Sequence, residues 1–372
     1  MLKIKLPLVS LALMSASPGL FAEELVVNGF MSVGAGVLSN SEASVKGYDD
    51  DISFSADTVV GVQLSKQVND STSATTQLVS RGGEDYDTEA AWAYVAYSPD
   101  DVTTLRIGRL RTPFFYYSDF LEVGYAYNWI RPPEEVYSLD TFSSFNGIDA
   151  SRQFLIGTAE LFTQVYVGRL LEDFSVNGTA YEFSLQNLAG VVFGLTLGDF
   201  GYRASVHTGD GYTDLELGGT RDLDQVYGLA TASGVGEKFA LDGKTSHFYE
   251  LAATWDNGDV SAIAEVTALE HETAMLLDEM SSLFSVAKRF DSTTVHLSYA
   301  SVRSLKESDA TVRNIQSMFE RHDSSWILGA RYDYDSSAAF KFEVQKIEEK
   351  IQAGSTSGED GMLYSVALDL VF

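Results

Sequence analysis

The chain has 372 residues, with 53 acidic and 25 basic side chains, a formal net charge of −28 and no cysteine. The apolar fraction of 45% is that of a packed protein, but no apolar run reaches the ~18 residues of a membrane-spanning helix, which excludes a helical membrane bundle. The excess of acids argues against a nucleic-acid partner, and the lack of cysteine excludes disulfide scaffolds, thiolate metal sites and cysteine nucleophiles.

The beginning of the chain predicts a secretory signal peptide, residues 1–22, followed by a single domain, residues 23–372. Lys3 and Lys5 precede a short apolar core, and Ala22 offers a small residue for cleavage. The apolar core is too short to span a bilayer. Removing the segment would take away two lysines and no acids, changing the formal charge from −28 to −30. We therefore expect an exported protein.

Beyond the signal peptide, apolar and polar residues alternate, as in strands with one apolar face. In the first clear example the apolar side chains share one face: Ile52, Phe54, Ala56, Val60, Val62 and Leu64. The pattern recurs at 202–207, 326–333 and 340–345. Helical periodicity is limited to short stretches near 274–281 and 310–321.

Two kinds of break separate the predicted strands. Seven short breaks are rich in Asn, Asp or Gly and predict tight turns, near 69–71, 99–101, 157–160, 198–200, 257–259, 291–292 and 335–338. Longer connections are predicted at 39–51, 82–87, 113–147, 170–180, 210–245, 273–280, 305–325 and 352–361. The two kinds alternate, which divides the chain into sixteen strands and predicts an all-β, antiparallel transmembrane barrel.

The end of the chain favours a closed barrel over a soluble β-sandwich, which alternation alone also allows. The last residues would form an outward apolar stripe: Tyr364, Val366, Leu368, Leu370 and Phe372. Lipid cannot satisfy an open strand edge, so the last strand needs a partner. The first strand, predicted from Leu25 to Val37, would supply it.

Two segments carry a resemblance to a known family. LRIGRLRTPFFYYSD, Leu105 to Asp119, resembles the end of the fifth strand and the start of the third loop in trimeric, sixteen-stranded porins of the Gram-negative outer membrane. LEVGYAYNWIRPPEEVY, Leu121 to Tyr137, resembles porins of marine proteobacteria. Phe372 resembles the terminal signal that such proteins present to the barrel-assembly machinery. The chain lacks the PEFGG-type run of enteric porins, so its constriction is expected to differ in shape.

The resemblance implies that residues 113–147 fold into the lumen as a constriction loop. A connection of that length is usually functional or disordered, and its eleven aromatic residues between Pro113 and Phe145 argue for packing. Acidic side chains of the loop, among them Asp140, would face basic side chains of the wall, among them Lys341. We predict these constriction residues: Arg81, Arg106, Arg109, Arg111, Tyr117, Asp119, Glu122, Arg131, Glu134, Glu135, Arg203 and Arg331.

Alternatives remain open for these residues. If Leu105 and Ile107 face lipid, strict alternation sends Arg109 and Arg111 outward too, unless Gly108 lies in a β-bulge; the resemblance favours an inward Arg109. The basic wall residues could instead pair with interior acids, namely Asp57, Glu250, Glu265 or Glu343. The loop aromatics could fix the loop to the wall, stack on sugar rings or make subunit contacts.

The sequence as a whole predicts a porin for passive diffusion of small hydrophilic solutes and ions, with no cofactor and no metal. The resemblance implies a homotrimer in the Gram-negative outer membrane, in contact with lipid and lipopolysaccharide. The alternatives are a channel specific for a sugar or organic acid and, in another class, an outer-membrane barrel enzyme. The five histidines lack metal-site spacing, and His207 near Asp210 has no convincing nucleophile beside it. We therefore expect no enzyme activity.

Overall fold

The computed structural model describes residues 25–40, 45, 47–139, 142–176, 179–216, 219–349 and 360–372. For residues 172–176 and 179–180 it describes the backbone. The predicted signal peptide, residues 1–22, and Asp140 lie outside the described residues.

Sixteen strands form the protein, each joined in sequence to the next. They are β1 Val26–Leu38, β2 Val59–Asn69, β3 Thr72–Arg81, β4 Thr88–Asp100, β5 Thr103–Arg111, β6 Ser144–Ile156, β7 Ala159–Val176, β8 Thr179–Leu197, β9 Phe200–Thr213, β10 Lys244–Asp256, β11 Val260–His271, β12 Glu279–Phe290, β13 Thr293–Ser304, β14 His322–Asp333, β15 Ala338–Glu349 and β16 Gly361–Val371.

Every strand pairs antiparallel with its neighbours in sequence, and β1 pairs with β16 to close the barrel. At the closure Ser32 lies opposite Asp369, and the backbones of Gly29 and Phe372 exchange two hydrogen bonds of 2.7 and 3.0 Å. The predictions of a sixteen-stranded barrel and of pairing between the first and last strands are confirmed.

The two faces of the barrel differ as the alternation predicted. On β16, Tyr364 and Val366 are 47% and 45% exposed on the outer face, whereas Ser365 and Asp369 are buried on the inner face. Large apolar side chains on the outer face of other strands, such as Leu251 at 66%, are also exposed. In the described part of the chain, no helix is long and apolar enough to cross a membrane.

The strand predicted to begin at Ile52 was placed too early. β2 begins at Val59, and the first loop covers residues 39–58. Ile52 and Phe54 belong to that loop and are 68% and 64% exposed. Ser53 forms an isolated bridge with Gly36 of β1. The alternation at 52–56 therefore does not mark a strand: Ser53 pairs at one point, and residues 54–57 form bends and turns.

The predicted connection at 170–180 was also wrong. β7 continues to Val176 and β8 begins at Thr179, and the two strands stay paired up to Val176 and Thr179. The Asn-Gly pair at 177–178 is a sequence signal for a two-residue hairpin. That signal explains why no long loop is needed between these strands.

The other connections within the described residues match the predictions within a few residues, whereas the connection predicted at 352–361 lies almost wholly outside them. The third loop covers residues 112–143, so Ser144 to Gly147, predicted as loop, belong to β6. The fifth, sixth and seventh loops cover residues 214–243, 272–278 and 305–321.

Among the described residues, α-helices occur only in the fifth and seventh loops. They are α1 Asp222–Ala232, α2 Gly236–Phe239 and α3 Ala310–Gln316. The helix expected near 310–321 is confirmed for its first half, whereas that expected near 274–281 is wrong, because Glu279 starts β12. Side chains of the fifth, sixth and seventh loops share one apolar cluster, which we call the loop cap: Ala230, Phe239, Leu241, Met275, Val312 and Ile315.

Candidate pore constriction

The third loop packs against the inner face of the strands opposite its own origin. It leaves the wall after β5 and contacts inward side chains of β10 to β14. The wall contributes Phe248, Ile263, Leu283, Ala300 and Ile327, and the loop contributes Phe114, Phe115, Tyr127, Trp129, Val136 and Tyr137. These aromatic side chains are buried, so they fix the loop against the wall rather than facing open space.

The start of the loop is held by Arg203 of β9. Its guanidinium donates to the carbonyl oxygens of Pro113 and Phe114 at 2.5 and 3.2 Å. The same group forms an ion pair of 2.5 Å with Glu250, whose side chain is fully buried. Arg203 thus pairs with an interior acid, as one of the sequence alternatives proposed, and at the same time binds the loop backbone.

A buried acid holds the next part of the loop. Glu265 of β11 accepts hydrogen bonds from the backbone N–H of Tyr116 at 2.9 Å and from the hydroxyl of Tyr137 at 2.5 Å. It has no exposed surface. The two tyrosines lie at opposite ends of the loop, so one carboxylate holds both ends.

The middle of the loop is held by the last strands. Lys341 of β15 donates to the carbonyl oxygens of Gly124 and Trp129 at 2.6 and 2.5 Å. The indole N–H of Trp129 donates to Ser298 of β13 at 2.8 Å. Arg331 of β14 donates to the carbonyls of Tyr125 and Tyr127 at 2.7 and 2.9 Å. A buried cation needs such partners, so these residues anchor the loop.

A cluster of arginines and glutamates joins the other side of the loop to β3, β4 and β5. Arg81 forms ion pairs with Glu122 of the loop at 2.6 Å and with Glu89 at 2.7 Å. Arg111 lies 3.6 Å from Glu122, and Arg109 lies 3.6 Å from Glu89. Burial raises the pKa of Glu122, but Arg111 and Arg81 outweigh this effect, so its pKa lies below the ordinary value.

The end of β5 resolves the orientation of Arg109 and Arg111. Gly108 has a φ of +139°, a conformation that side chains rarely adopt. Beyond it, Leu110 packs toward β6, β7 and β8 with Phe145 among its neighbours. Arg109 reaches the carboxylate of Glu89, and Arg111 reaches that of Glu122. They therefore belong to the interior cluster, as the resemblance implied for Arg109.

One stretch of loop and wall is left more open. Asp119 lies on a short 3-10 turn, Ser118–Phe120, and is exposed. Its charge acts on Arg106 and Arg111 of β5. Arg106 is itself paired with Asp149 of β6 and lies 5.4 Å from the ring centre of Tyr94. The loop thus turns an acidic side chain toward a wall that carries basic ones.

The remaining predicted residues lie elsewhere on the loop. Tyr117 packs edge-on against Trp129 at 5.7 Å between ring centres, and burial raises its pKa. Glu135 is buried and Glu134 partly exposed. Arg131 pairs with Asp57 of the first loop, an interior acid that the alternatives offered as a partner for the basic wall residues. The structure therefore brings Arg81, Arg106, Arg109, Arg111, Asp119 and Glu122 together, and places Arg131, Arg203 and Arg331 at the anchors.

Sequence reasoning missed several participants. Glu89 and Asp149 pair with the arginines of the cluster. The inward position of Asp149 follows from alternation on β6. Glu89 has the parity of the exposed Val95 and Tyr97 on β4, and it faces inward because the pairing of β3 with β4 shifts register between Trp92 and Ala90. Ser298 and Trp129 meet only because the loop crosses the barrel, which no local pattern indicates. His207 bonds to the hydroxyl of Tyr166 at 2.7 Å. Among the described residues, no group of three or more His, Asp or Glu side chains could hold a metal ion.

Comparison with solved structures finds barrels of the same kind. A loop L8 deletion mutant of OmpT, an outer membrane protein of Vibrio cholerae, is similar to this chain. The TM-score is 0.62 and the identity 13%, over 95% of this chain and 100% of that one. Its in-vitro folded trimer form has a TM-score of 0.58, 14% identity and coverage of 95% and 100%.

Two further similar structures are a porin and OmpF. The anion-selective porin from Comamonas acidovorans has a TM-score of 0.57, 11% identity and coverage of 94% and 100%. OmpF of Salmonella typhi, in complex with daunomycin, has a TM-score of 0.58, 14% identity and coverage of 94% and 98%. No protein-family model and no curated protein sequence matches the chain. The chain has the sixteen-stranded barrel fold of these outer-membrane proteins.

Proposed function

We propose that the protein is an outer-membrane porin, a water-filled channel for passive diffusion of small hydrophilic solutes and ions. The observation that carries the proposal is a barrel with an exposed apolar outer face, a polar inner face and one loop anchored across its inside. An apolar exterior suits lipid, and a polar interior suits water. The mechanism is size exclusion at the loop, with no catalytic step.

Charge at the loop would sort the solutes that fit. Asp119 is exposed on the loop, and its charge acts on Arg106 of the wall strand β5. Opposite charges on two sides of a narrow passage set up a transverse field that orients dipolar solutes and disfavours apolar ones.

Planar-bilayer recording in a salt gradient tests this proposal. The wild-type protein should give a stable conductance that rises linearly with voltage and salt. Arg106→Gln should shift the reversal potential toward cation preference, and Asp119→Asn should shift it toward anion preference. Arg152→Gln is the matched control, because Arg152 is an exposed side chain of β6 lying over the Phe154 ring. A correctly folded barrel that conducts no ions would overturn the proposal.

The alternative of a channel specific for a sugar or organic acid has less support. The aromatic side chains that could stack on a sugar, such as Phe114 and Trp129, are buried against the wall. Phe120 is the loop aromatic that the structure leaves most exposed among the described residues, at 38%. Saturable block of the current by one solute at low concentration would favour this alternative, and turnover in detergent would favour a barrel enzyme.

The proposal includes the partners that such a porin needs. We infer a homotrimer in the outer membrane, reached by export with a cleaved signal peptide and in contact with lipid and lipopolysaccharide. The trimer form of OmpT supports the first inference. Phe372, 68% exposed at the end of the closing strand, is available to the barrel-assembly machinery.

A further inference from the structure

The first loop, like the third, folds against the inner face of the barrel. The Cβ of Asp57 lies 2.5 Å from where a Cβ on Gly34 would stand, and the ring of Tyr48 lies 2.8 Å from the equivalent point on Gly36. Both glycines face inward on β1, opposite Ala367 and Ser365. Because neither glycine has a side chain, the wall has room for the loop at this place.

Backbone hydrogen bonds and apolar packing hold the first loop in this position. Gly36 and Ser53 exchange two hydrogen bonds of 3.0 Å, and the N–H of Leu38 donates to Asp49 at 2.7 Å. Tyr48 is fully buried in an apolar cluster with Leu38, Val45, Ile347 and Leu363. The first loop is therefore packed as firmly at its centre as a core segment.

A buried ion pair connects the first loop to the third. Arg131 of the third loop donates through Nε to Asp57 of the first loop at 2.6 Å and through a second guanidinium nitrogen to the other oxygen of the same carboxylate. The hydroxyl of Tyr48 donates to Asp57 at 2.5 Å, and the guanidinium of Arg131 lies 5.2 Å from the Tyr48 ring centre. The side chains of Arg131 and Asp57 are 12% and 9% exposed.

The geometry makes this pair strong and specific. A planar guanidinium and a carboxylate joined by two hydrogen bonds allow one relative orientation only. Removing one partner would leave the other as an uncompensated buried charge, which is strongly unfavourable. Next to Arg131, the N–H of Ile130 donates to Glu343 of β15 at 2.9 Å. This part of the third loop is thus held between the wall and the first loop.

We propose that the Asp57–Arg131 pair locks the first loop to the third, so that both loops move as one body and together set the width of the passage. Asp57 acts as a positioning residue: it holds the constriction through Arg131. This inference rests on the proposed channel function. Without the Asp57–Arg131 pair, the third loop would keep its anchors on β9 to β15 but would lose its support at Arg131. The passage would then fluctuate in width.

Single-channel recording of charge-neutralised variants tests the lock. Asp57→Asn should raise the variance of the open-channel current several-fold over wild type, because it leaves Arg131 without its counter-charge. Asp50→Asn is the matched control, since it removes the same charge from an exposed position of the same loop. It should leave the variance at the wild-type level.

A reversible cross-link provides a second comparison, which the cysteine-free chain makes specific. The double variant Asp57→Cys, Arg131→Cys should give noisy currents that become quiet after treatment with a short bis-methanethiosulfonate reagent and noisy again after reduction. In each single cysteine variant, the current noise should not fall after the same treatment. If Asp57→Asn does not fold, this comparison alone decides the result.

Two results would overturn the inference: equal variance in Asp57→Asn, Asp50→Asn and wild type, or a cross-linked double variant that stays as noisy as the reduced one. Either result leaves a conducting pore, so the channel function would stand. A folded wild-type barrel without conductance would instead overturn the proposed function itself.

Discussion

Gly108 is the residue on which the end of β5 depends. Its φ of +139° is open to glycine and strained for other residues. A Cβ at this position would lie 2.2 Å from the backbone oxygen of Ala93 on the neighbouring strand. Backbone atoms cannot move aside as a flexible side chain can, so this strand end requires glycine.

Gly108→Ala should destabilise the barrel by about 1–3 kcal/mol from backbone strain alone, with the clash adding to this cost. The midpoint of urea unfolding in lipid vesicles measures the effect. Gly194→Ala is the control, because a Cβ there would meet its nearest neighbour at an ordinary 3.5 Å. Equal midpoints for the two variants would contradict the role assigned to Gly108.

Glu122 predicts a specific pH dependence. Its pKa is below the ordinary value, because Arg111 and Arg81 outweigh the effect of burial. A carboxylate with a lowered folded-state pKa stabilises the protein above its unfolded-state pKa, and loses this contribution as pH falls through the folded-state pKa. We expect the difference in unfolding free energy between wild type and Glu122→Gln to stay level down to pH ~4.3 and to shrink below it.

Urea midpoints of both proteins across a pH series measure that difference. A difference that stays constant below pH ~4.3 would show that the folded-state pKa of Glu122 is ordinary, and one that grows as the pH falls would show that it is raised. Either result would contradict the ion pairs with Arg81 and Arg111 as the dominant influence on this side chain.

At the scale of elements, the loop cap is a small core separate from the barrel wall. Phe239 is fully buried in it, together with Met275 and Ile315 from two other loops. Asp309 begins α3 by accepting hydrogen bonds from Thr311 and Val312. A small core of this kind can be loosened without opening the barrel, because its apolar contacts are made between loops.

Phe239→Ala should cost the cap about 3–5 kcal/mol and make the fifth loop sensitive to added protease, while the barrel keeps its heat-resistant mobility on gels. Met318→Ala serves as the control, because Met318 lies in the seventh loop and is 67% exposed. Limited proteolysis followed by mass spectrometry reads out the cuts. Equal resistance in both variants would show that the cap does not depend on its buried ring.

Strands were predictable because the two-residue alternation of apolar and polar side chains can be read from neighbouring residues alone. The exceptions show where that alternation misleads. Alternation located β14 and β16 correctly, but it also ran through Ile52 and Phe54, which pair with no strand partner of their own. In α1, apolar residues recur at helical spacing at 223, 226, 227 and 230. That signal was present in the fifth loop and could have predicted the helix.

The candidate site was predictable in its residue types and less so in its contacts. Inward arginines such as Arg81 and Arg203 follow from alternation. Their partners do not, because Arg203 binds carbonyls 89 and 90 residues earlier in the chain and Lys341 binds one 217 residues away. Which side chains anchor the loop and which face the passage depends on these distant contacts, and no local pattern contains them.

At the scale of the whole molecule, the formal charge of −28 contrasts with the paired charges of the constriction. Asp49, Asp50 and Asp51 are exposed on the first loop, whereas Arg81 and Arg111 are neutralised by glutamates. Exposed acids at an entrance attract cations over about 10 Å at 0.1 M salt, and over a longer distance at lower salt.

We therefore expect a weak cation preference that grows as the salt concentration is lowered. Reversal potentials in potassium chloride gradients at the same ratio but different absolute concentrations measure it. Clear anion preference, or a preference that does not change with salt, would show that fixed charges inside the constriction dominate over those at the entrance.

The anchors of the third loop also dictate an order of events during assembly. The loop ends at residue 143, whereas Arg203, Glu265, Ser298, Arg331 and Lys341 all come later in the chain. Contacts so far apart in sequence form late, since a long stretch of chain must be ordered before they can be made. An unfinished barrel would therefore hold the third loop without its later anchors, and we expect the loop to take its final position only after the last strands have paired.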